Sequence, residues 1–149
     1  MTVALAIFLT LVLILLNGFF VAIEFALIGA RRTRMEQLAK DNNRAAKFGL
    51  DLMKDLPLAI SGAQLGITVT SLGLGLVAEP AFASILEKMF GGLFEVPSAV
   101  AHWVAFGIAI FFVVFLHMVI GEMVPKNFAL TDPEKIVCRL SATHRAFVF

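Results

Sequence analysis

The 149-residue chain is 60% apolar and 15% charged, with twelve Lys and Arg against eleven Asp and Glu. Soluble domains are about 45–50% apolar, so an ordinary water-soluble globule is excluded, and a net charge of +1 offers no field to attract nucleic acid. The single cysteine, Cys138, excludes an internal disulfide and reads as a small buried or lipid-facing apolar residue.

The first apolar stretch runs from Val3 to Ala30, with Glu24 as its only charge. No basic residue precedes it, it is longer than the ~7–15 residues of a signal-peptide core, and it ends on Arg31, Arg32 and Arg34, so it reads as a retained transmembrane helix (3–30). Segment 31–55 is charged, with a broken apolar face at Met35, Leu38, Ala39, Ala46, Leu50 and Met53. Asp41-Asn42-Asn43 divides it into a helical hairpin. The second apolar stretch, 56–78, holds no charge and begins near Pro57, where a missing amide costs least. A loop over 79–95 is expected from Glu79-Pro80 onward, with an amphipathic turn at Phe82, Ile85, Leu86, Met89 and Phe90, then Gly91-Gly92 and Pro97. The third stretch, 96–124, is uncharged as far as Gly121 with His102 and His117 neutral; His102, Phe90, Phe94 and Trp103 suit an interface. Each stretch exceeds the ~20 residues a helix needs to cross the hydrocarbon core. Thr131-Asp132-Pro133-Glu134 then opens an amphipathic juxtamembrane helix (132–149) with a cap, a proline and an acid in its first turn. That pattern is still running at Phe149, so a longer protein is expected.

Basic residues orient the spans. Segment 31–55 holds seven Lys and Arg and segment 122–149 four, whereas 79–95 holds only Lys88. The positive-inside rule places the two basic segments in the cytoplasm, and three spans then leave the amino terminus outside. The expected protein is an all-α, multi-pass protein of the cell membrane with three transmembrane helices, a cytoplasmic helical hairpin after the first and a juxtamembrane helix after the third.

Polar groups inside the spans carry the chemistry. A carboxylate in a span costs roughly 2.5–3.5 kcal/mol on insertion scales; Glu24 reads equally as a structural pair to a neighbouring span or as a functional group. Glu122 sits in Gly121-Glu122-Met123-Val124-Pro125-Lys126. Pro125 cannot donate to the carbonyl four residues back, so the Gly121 carbonyl is expected free beside a carboxylate, the beginnings of a hard-cation site. The plainer alternative pairs Glu122 with Lys126 at i,i+4. In the second span Ser61, Gln64, Thr68 and Ser71, spaced 3, 4 and 3, share one helical face, either a polar path or helix-to-helix glue. Gly62 and Gly66 match a close-approach motif. Asn17 is a further polar group near mid-membrane. His117, five residues before Glu122, is not on quite the same α-helical face; it reads as a packing residue, with a supporting partner of the Glu122 site or a proton site as the alternatives. No nucleophile elbow, paired-histidine zinc helix or P-loop is present, and nothing reads as an enzyme.

The stretches LNGFFVAIEFALIGARRTRMEQLA (16–39), ISGAQLGITVTSLGLGLVAEPAFA (60–83) and GEMVPKNFAL (121–130) together resemble the transmembrane domain of the CorC/CNNM family. The resemblance implies a homodimer associated with magnesium export. It also implies nucleotide-binding CBS domains and a C-terminal domain beyond these residues, through which alone ATP would act. On it, the acidic residue of the third-span motif falls on Glu122 and the helix-breaking proline on Pro125, with the second-span polar position at or near Gln64 or Thr68. One departure is visible: Val21-Ala22-Ile23-Glu24 lacks the hydroxyl that magnesium-transporting relatives carry before the glutamate, leaving Asn17 or a backbone carbonyl to replace it. The expected Mg²⁺ ligands are therefore Glu122, Gly121, Gln64, Thr68 and Asn17, with Glu24, Ser61, Ser71 and His117 around them. The rival expectation is a dimeric membrane anchor that transports nothing.

Overall fold

The computed structural model describes residues 2–90 and 98–149, and every regular element among them is helical. Helix α1 (Val3–Gly29) is apolar around its circumference apart from Thr10, Asn17 and Glu24, as suits a lipid-embedded helix. It ends where Ala30 turns extended, and the short helices α2 (Arg32–Lys40) and α3 (Arg44–Lys54) follow. Asn42, at φ 64°, makes the turn between them. Asn43 caps α3 by accepting hydrogen bonds from the Ala45 and Ala46 amides, the arrangement that satisfies otherwise orphaned helix donors.

Helix α4 (Leu56–Phe90) is one continuous 35-residue helix with Pro80 inside it. The loop expected from Glu79 is therefore helix as far as Phe90. Pro80 forfeits one main-chain hydrogen bond, and Ala78, Ala81 and Ala83 are buried on either side of it. At about 1.5 Å per residue α4 is longer than the ~30 Å hydrocarbon core is thick, so it tilts or protrudes. The remainder of the expected loop, with Gly91-Gly92, Phe94 and Pro97, lies outside the described residues.

The third span is built in three pieces: α5 (Ser98–Leu116), a π-helical turn (His117–Met123) and α6 (Val124–Thr131). Within the π-turn the Val124 amide donates to Val119 O, five residues back. Pro125 does not break the chain's path. It falls in the first turn of α6, where an amide is dispensable. Helix α7 (Pro133–Val148) follows, capped by Asp132 through the Lys135 amide.

Among the described residues, three helical stretches are long and apolar enough to span a bilayer: Ala4–Gly29, Leu56–Leu86 and His102–Thr131. This is a membrane protein. The most continuous core lies at one end of the bundle, where Ile23, Ala26 and Leu27 of α1 meet Met35, Ala46 and Leu52 of the hairpin. Ala59 and Ala63 of α4, Ala129 of α6 and Val137 of α7 close it. Away from that end the large side chains turn outward, among them Leu15, Leu72, Leu76 and Phe111, an apolar coat suited to lipid.

Candidate functional site

Helix α4 presents a line of small residues to the interior. Ala59, Ala63, Gly66, Thr70, Leu74 and Ala78 are all buried, at the three- and four-residue steps that keep one helical face. A Cβ at Gly66 would stand 2.5 Å from the Phe20 ring, so only glycine lets α1 come this close. Asn17, one turn before Phe20, is fully buried. Its amide Nδ2 donates to Gly121 O at 3.0 Å, and its Oδ1 accepts from Thr70 Oγ1 at 2.8 Å and Ser71 Oγ at 3.3 Å. Asn17 thereby ties α1, α4 and the π-turn together. The Gly121 carbonyl, expected free because of Pro125, is satisfied by this amide. Gly18, next along α1, lies against Pro125, whose Cγ would sit 3.0 Å from an added Cβ.

The network runs on to a carboxylate. Ser71 Oγ is 3.3 Å from His117 Nε2, and His117 Nε2 is 3.6 Å from Glu122 Oε1. In an α-helix a five-residue step turns a side chain roughly 140° away, which is why the sequence separated His117 from Glu122. The π-turn, whose bonds run between residues five apart, brings both to one side. The expected Glu122–Lys126 pair is not formed: Lys126 Nζ lies 4.4 Å above the centre of the Phe25 ring. The Glu122 side chain is 47% exposed, so this end of the network opens outward while Asn17 closes the other.

The expected ligands divide into two places. Asn17, Gly121, Ser71, His117 and Glu122 meet as described. Gln64 and Thr68 do not join them, since both are exposed on the flank of α4. Gln64 Nε2 donates to Glu24 Oε1 at 3.3 Å, giving Glu24 a partner on the neighbouring span. Thr68 turns its hydroxyl back onto Gln64 O at 2.9 Å, and Ser61 is exposed. The polar stripe flanks the small-residue face, and only Ser71 reaches across to Asn17. Sequence reasoning missed Thr70, which was hidden on the small-residue face rather than in the polar stripe. The spacing of Ala59, Ala63, Gly66 and Thr70 was the signal that could have found it. Gly62 and Gly66 do allow close approach, to Val148 of α7 and Phe20 of α1 respectively. Among the described residues no group of three or more His, Cys, Asp or Glu side chains could hold a metal; any cation here would be bound mainly by neutral oxygens and one carboxylate.

A cleft of about 770 Å³ lies elsewhere, between the end of α1, the start of α2 and the α6–α7 turn, with Arg31, Arg34, Asp132, Glu134 and Lys135 in its walls. Glu134 Oε1 accepts from Arg31 N at 3.2 Å and Arg31 Nε at 3.4 Å. Burial opposes ionisation of this carboxyl, but the bonds from Arg31 prevail and hold it below the usual range. On the far side of α7, Asp51 is held low chiefly by its hydrogen bond from Lys54, with Arg145 adding to it. The Cys138 thiol is pushed up by burial and by Asp132 and Glu134, which disfavours a reactive thiolate.

A family model described as the cyclin M transmembrane N-terminal domain, CNNM, matches residues 8–149. The chain belongs to this family. Among similar proteins, the UPF0053 protein YhdT of Bacillus subtilis is 41% identical over 136 residues, covering 91% of this chain and 29% of its own length. An uncharacterized protein of Mycobacterium tuberculosis is 45% identical over 148 residues, 99% of this chain and 41% of its own length. The UPF0053 protein sll0260 of Synechocystis is 37% identical over 139 residues, 92% of this chain and 30% of its own. This CNNM domain thus spans well under half the length of these relatives.

Proposed function

We propose that this CNNM domain is the non-enzymatic membrane part of a divalent-cation transporter, with magnesium as cargo held where Asn17, Ser71, the Gly121 carbonyl and Glu122 converge. One observation carries the reading: oxygens from all three spans meet at a π-helical turn, a distortion frequent at functional sites. Mg²⁺ takes oxygen ligands in near-octahedral geometry at about 2.0–2.1 Å and keeps several waters. Carbonyl, amide and hydroxyl oxygens with a single partly exposed carboxylate suit a cargo ion that must leave again. Binding would draw Asn17 Oδ1 and Ser71 Oγ away from their present hydrogen bonds. Gln64 and Thr68, on the exposed flank of α4, and Glu24, the partner of Gln64 on α1, would line the approach rather than the site.

The basic hairpin and α7 favour a cytoplasmic position for that end, with the amino terminus outside, in the plasma or inner membrane. A homodimer follows from the same family reading, as does gating by nucleotide-binding domains beyond this segment. The test is cation flux in proteoliposomes. Glu122→Gln is expected to reduce Mg²⁺ flux to the level of protein-free vesicles while the variant still folds; flux equal to wild type would remove the assignment.

A second reading, a membrane anchor that carries no ion, has its own support. The oxygens around Asn17 are already satisfied by one another, and Val21-Ala22-Ile23 offers no hydroxyl. Titration calorimetry with Mg²⁺ in detergent separates the two, since the anchor gives no binding heat at millimolar ion.

A further inference from the structure

Helix α7 turns Val137, Ser141 and His144 inward, and all three are fully buried. Ser141 Oγ donates to Ala45 O of α3 at 3.0 Å. His144 Nε2 lies 2.9 Å from Ala59 O of α4. A carbonyl only accepts, so Nε2 carries the proton and the neutral ring leaves Nδ1 as a bare acceptor. That nitrogen is buried with no hydrogen-bond partner. Phe20 of α1 stands edge-on to the imidazole with centroids 6.3 Å apart, and Phe147 stacks on it at 6.4 Å. The ring also bounds the space beside Gly62.

Of the charged groups on α7 and the elements packed against it, Lys47 is turned to Asn42 and Glu134 to Arg31, while Arg44, Glu79, Lys135 and Arg139 make no bond to His144, whose Nε2 is taken by Ala59 O and whose Nδ1 has no partner. On α3, Asp51 pairs with Lys54 and Arg145. On α1, Glu24 accepts from Gln64. Just before α4, Asp55 accepts from the Leu58 amide, and on α6 Lys126 covers Phe25. On α7 itself Arg145 is turned to Asp51 and Phe48. Among the described residues, none of them pairs with the imidazole.

From this geometry we infer that His144 is an acid-sensitive latch, holding α7 against α4 while neutral and releasing it when a second proton enters at Nδ1. A protonated Nδ1 would be a buried donor and a buried charge with nothing to receive either, and such a group is expelled to water rather than tolerated. Release would also strip one wall from Phe20, which fills the notch at Gly66 one turn from Asn17, so the latch bears on the α1–α4 contact beside the polar network. It operates whether or not the domain carries ions.

The sign agrees. Burial lowers the proton affinity of His144 below the ordinary 6.5, and the Ala59 bond opposes this only in part. The docked state therefore keeps its full advantage above about pH 6.5 and loses it as pH falls from there toward the lower docked-state value. Asp51 and Glu134 also favour the docked state, but their ordinary values are 3.8 and 4.5 and both are shifted down. Their contribution disappears only in stronger acid, so loss that sets in as pH falls below 6.5 belongs to His144.

The experiment is amide hydrogen exchange of α7 with the chain in lipid nanodiscs, from pH 7.5 to 5.0, corrected for intrinsic exchange chemistry. Exchange over residues 141–148 should accelerate by up to about tenfold per pH unit below 6.5. His144→Gln keeps an N–H for Ala59 O without a titrating proton and should remain protected throughout. Nitrogen shifts of the His144 ring should pass from the Nε2-protonated neutral form to imidazolium over the same interval. Wild-type protection that does not change with pH overturns the latch. So does equal acid sensitivity in His144→Gln, or a ring still neutral and docked at pH 5. Should the glutamine variant fail to fold, the ring shifts alone decide.

Discussion

Asn17 and His144 are both fully buried, and each bonds a main-chain carbonyl across a helix contact. They differ in what remains after that bond. Asn17 also accepts from two hydroxyls, so α1, α4 and the π-turn are joined with its oxygen fully used. His144 has one nitrogen with nothing to bond, so α7 is joined to α4 by a group with a second protonation state available. Buried polar side chains therefore do two jobs in this domain. The one with a single protonation state fixes the spans, and the one with a titratable, unpartnered nitrogen makes a helix contact conditional.

Four substitutions would break or sharpen that contrast. Asn17→Leu should have the largest effect, about 3 kcal/mol of unfolding stability in detergent, because it strands the Gly121 carbonyl and cuts the tie between α1 and α4, leaving Thr70 to Gly66 O and Ile67 O and Ser71 to His117. A loss below about 1 kcal/mol would mean water takes over those bonds. Gly66→Ala should cost about 1–3 kcal/mol through displacement of Phe20, measured in the same unfolding experiment. His144→Phe should cost no more than about 1 kcal/mol at pH 7.5, since it surrenders one hydrogen bond while keeping a ring beside Phe20, and its stability should be flat from pH 7.5 to 5. If Asn17→Leu and His144→Phe proved equally damaging, the distinction between them would be lost. Gln64→Leu should be mildest, about 0.6 kcal/mol, the typical worth of one interhelical hydrogen bond in a membrane. A larger loss would move the Glu24–Gln64 pair from the flank into the structural core.

The spans and the helical hairpin were legible because they rest on composition and local chemistry. Apolar runs of that length have few other homes, and Asn42 and Asn43 carry the positive φ and the cap that a break between helices calls for. The candidate site was legible only in part. Glu122 and Asn17 stood out as polar groups in apolar stretches, but their partners were set by helix rotation. Thr70 rather than Thr68 meets Asn17, because the small-residue face turns toward α1 and the polar stripe lies beside it. Helix α4 runs on through Glu79-Pro80 despite one missing hydrogen bond, with Ala78, Ala81 and Ala83 packed on either side of the proline.

What the sequence determined alone is a membrane-spanning, all-helical chain of the CNNM kind, with an acid and a proline at the end of its third span. Local composition settles these features, since the bilayer admits few ways of burying such stretches. Only the tertiary structure decided that the third span accommodates its proline through a π-turn, that His117 and Glu122 share a side, and that His144 is buried with one nitrogen unanswered. Each depends on which face of one helix meets another, and that follows from the sum of packing contacts rather than from any residue's neighbours in the chain.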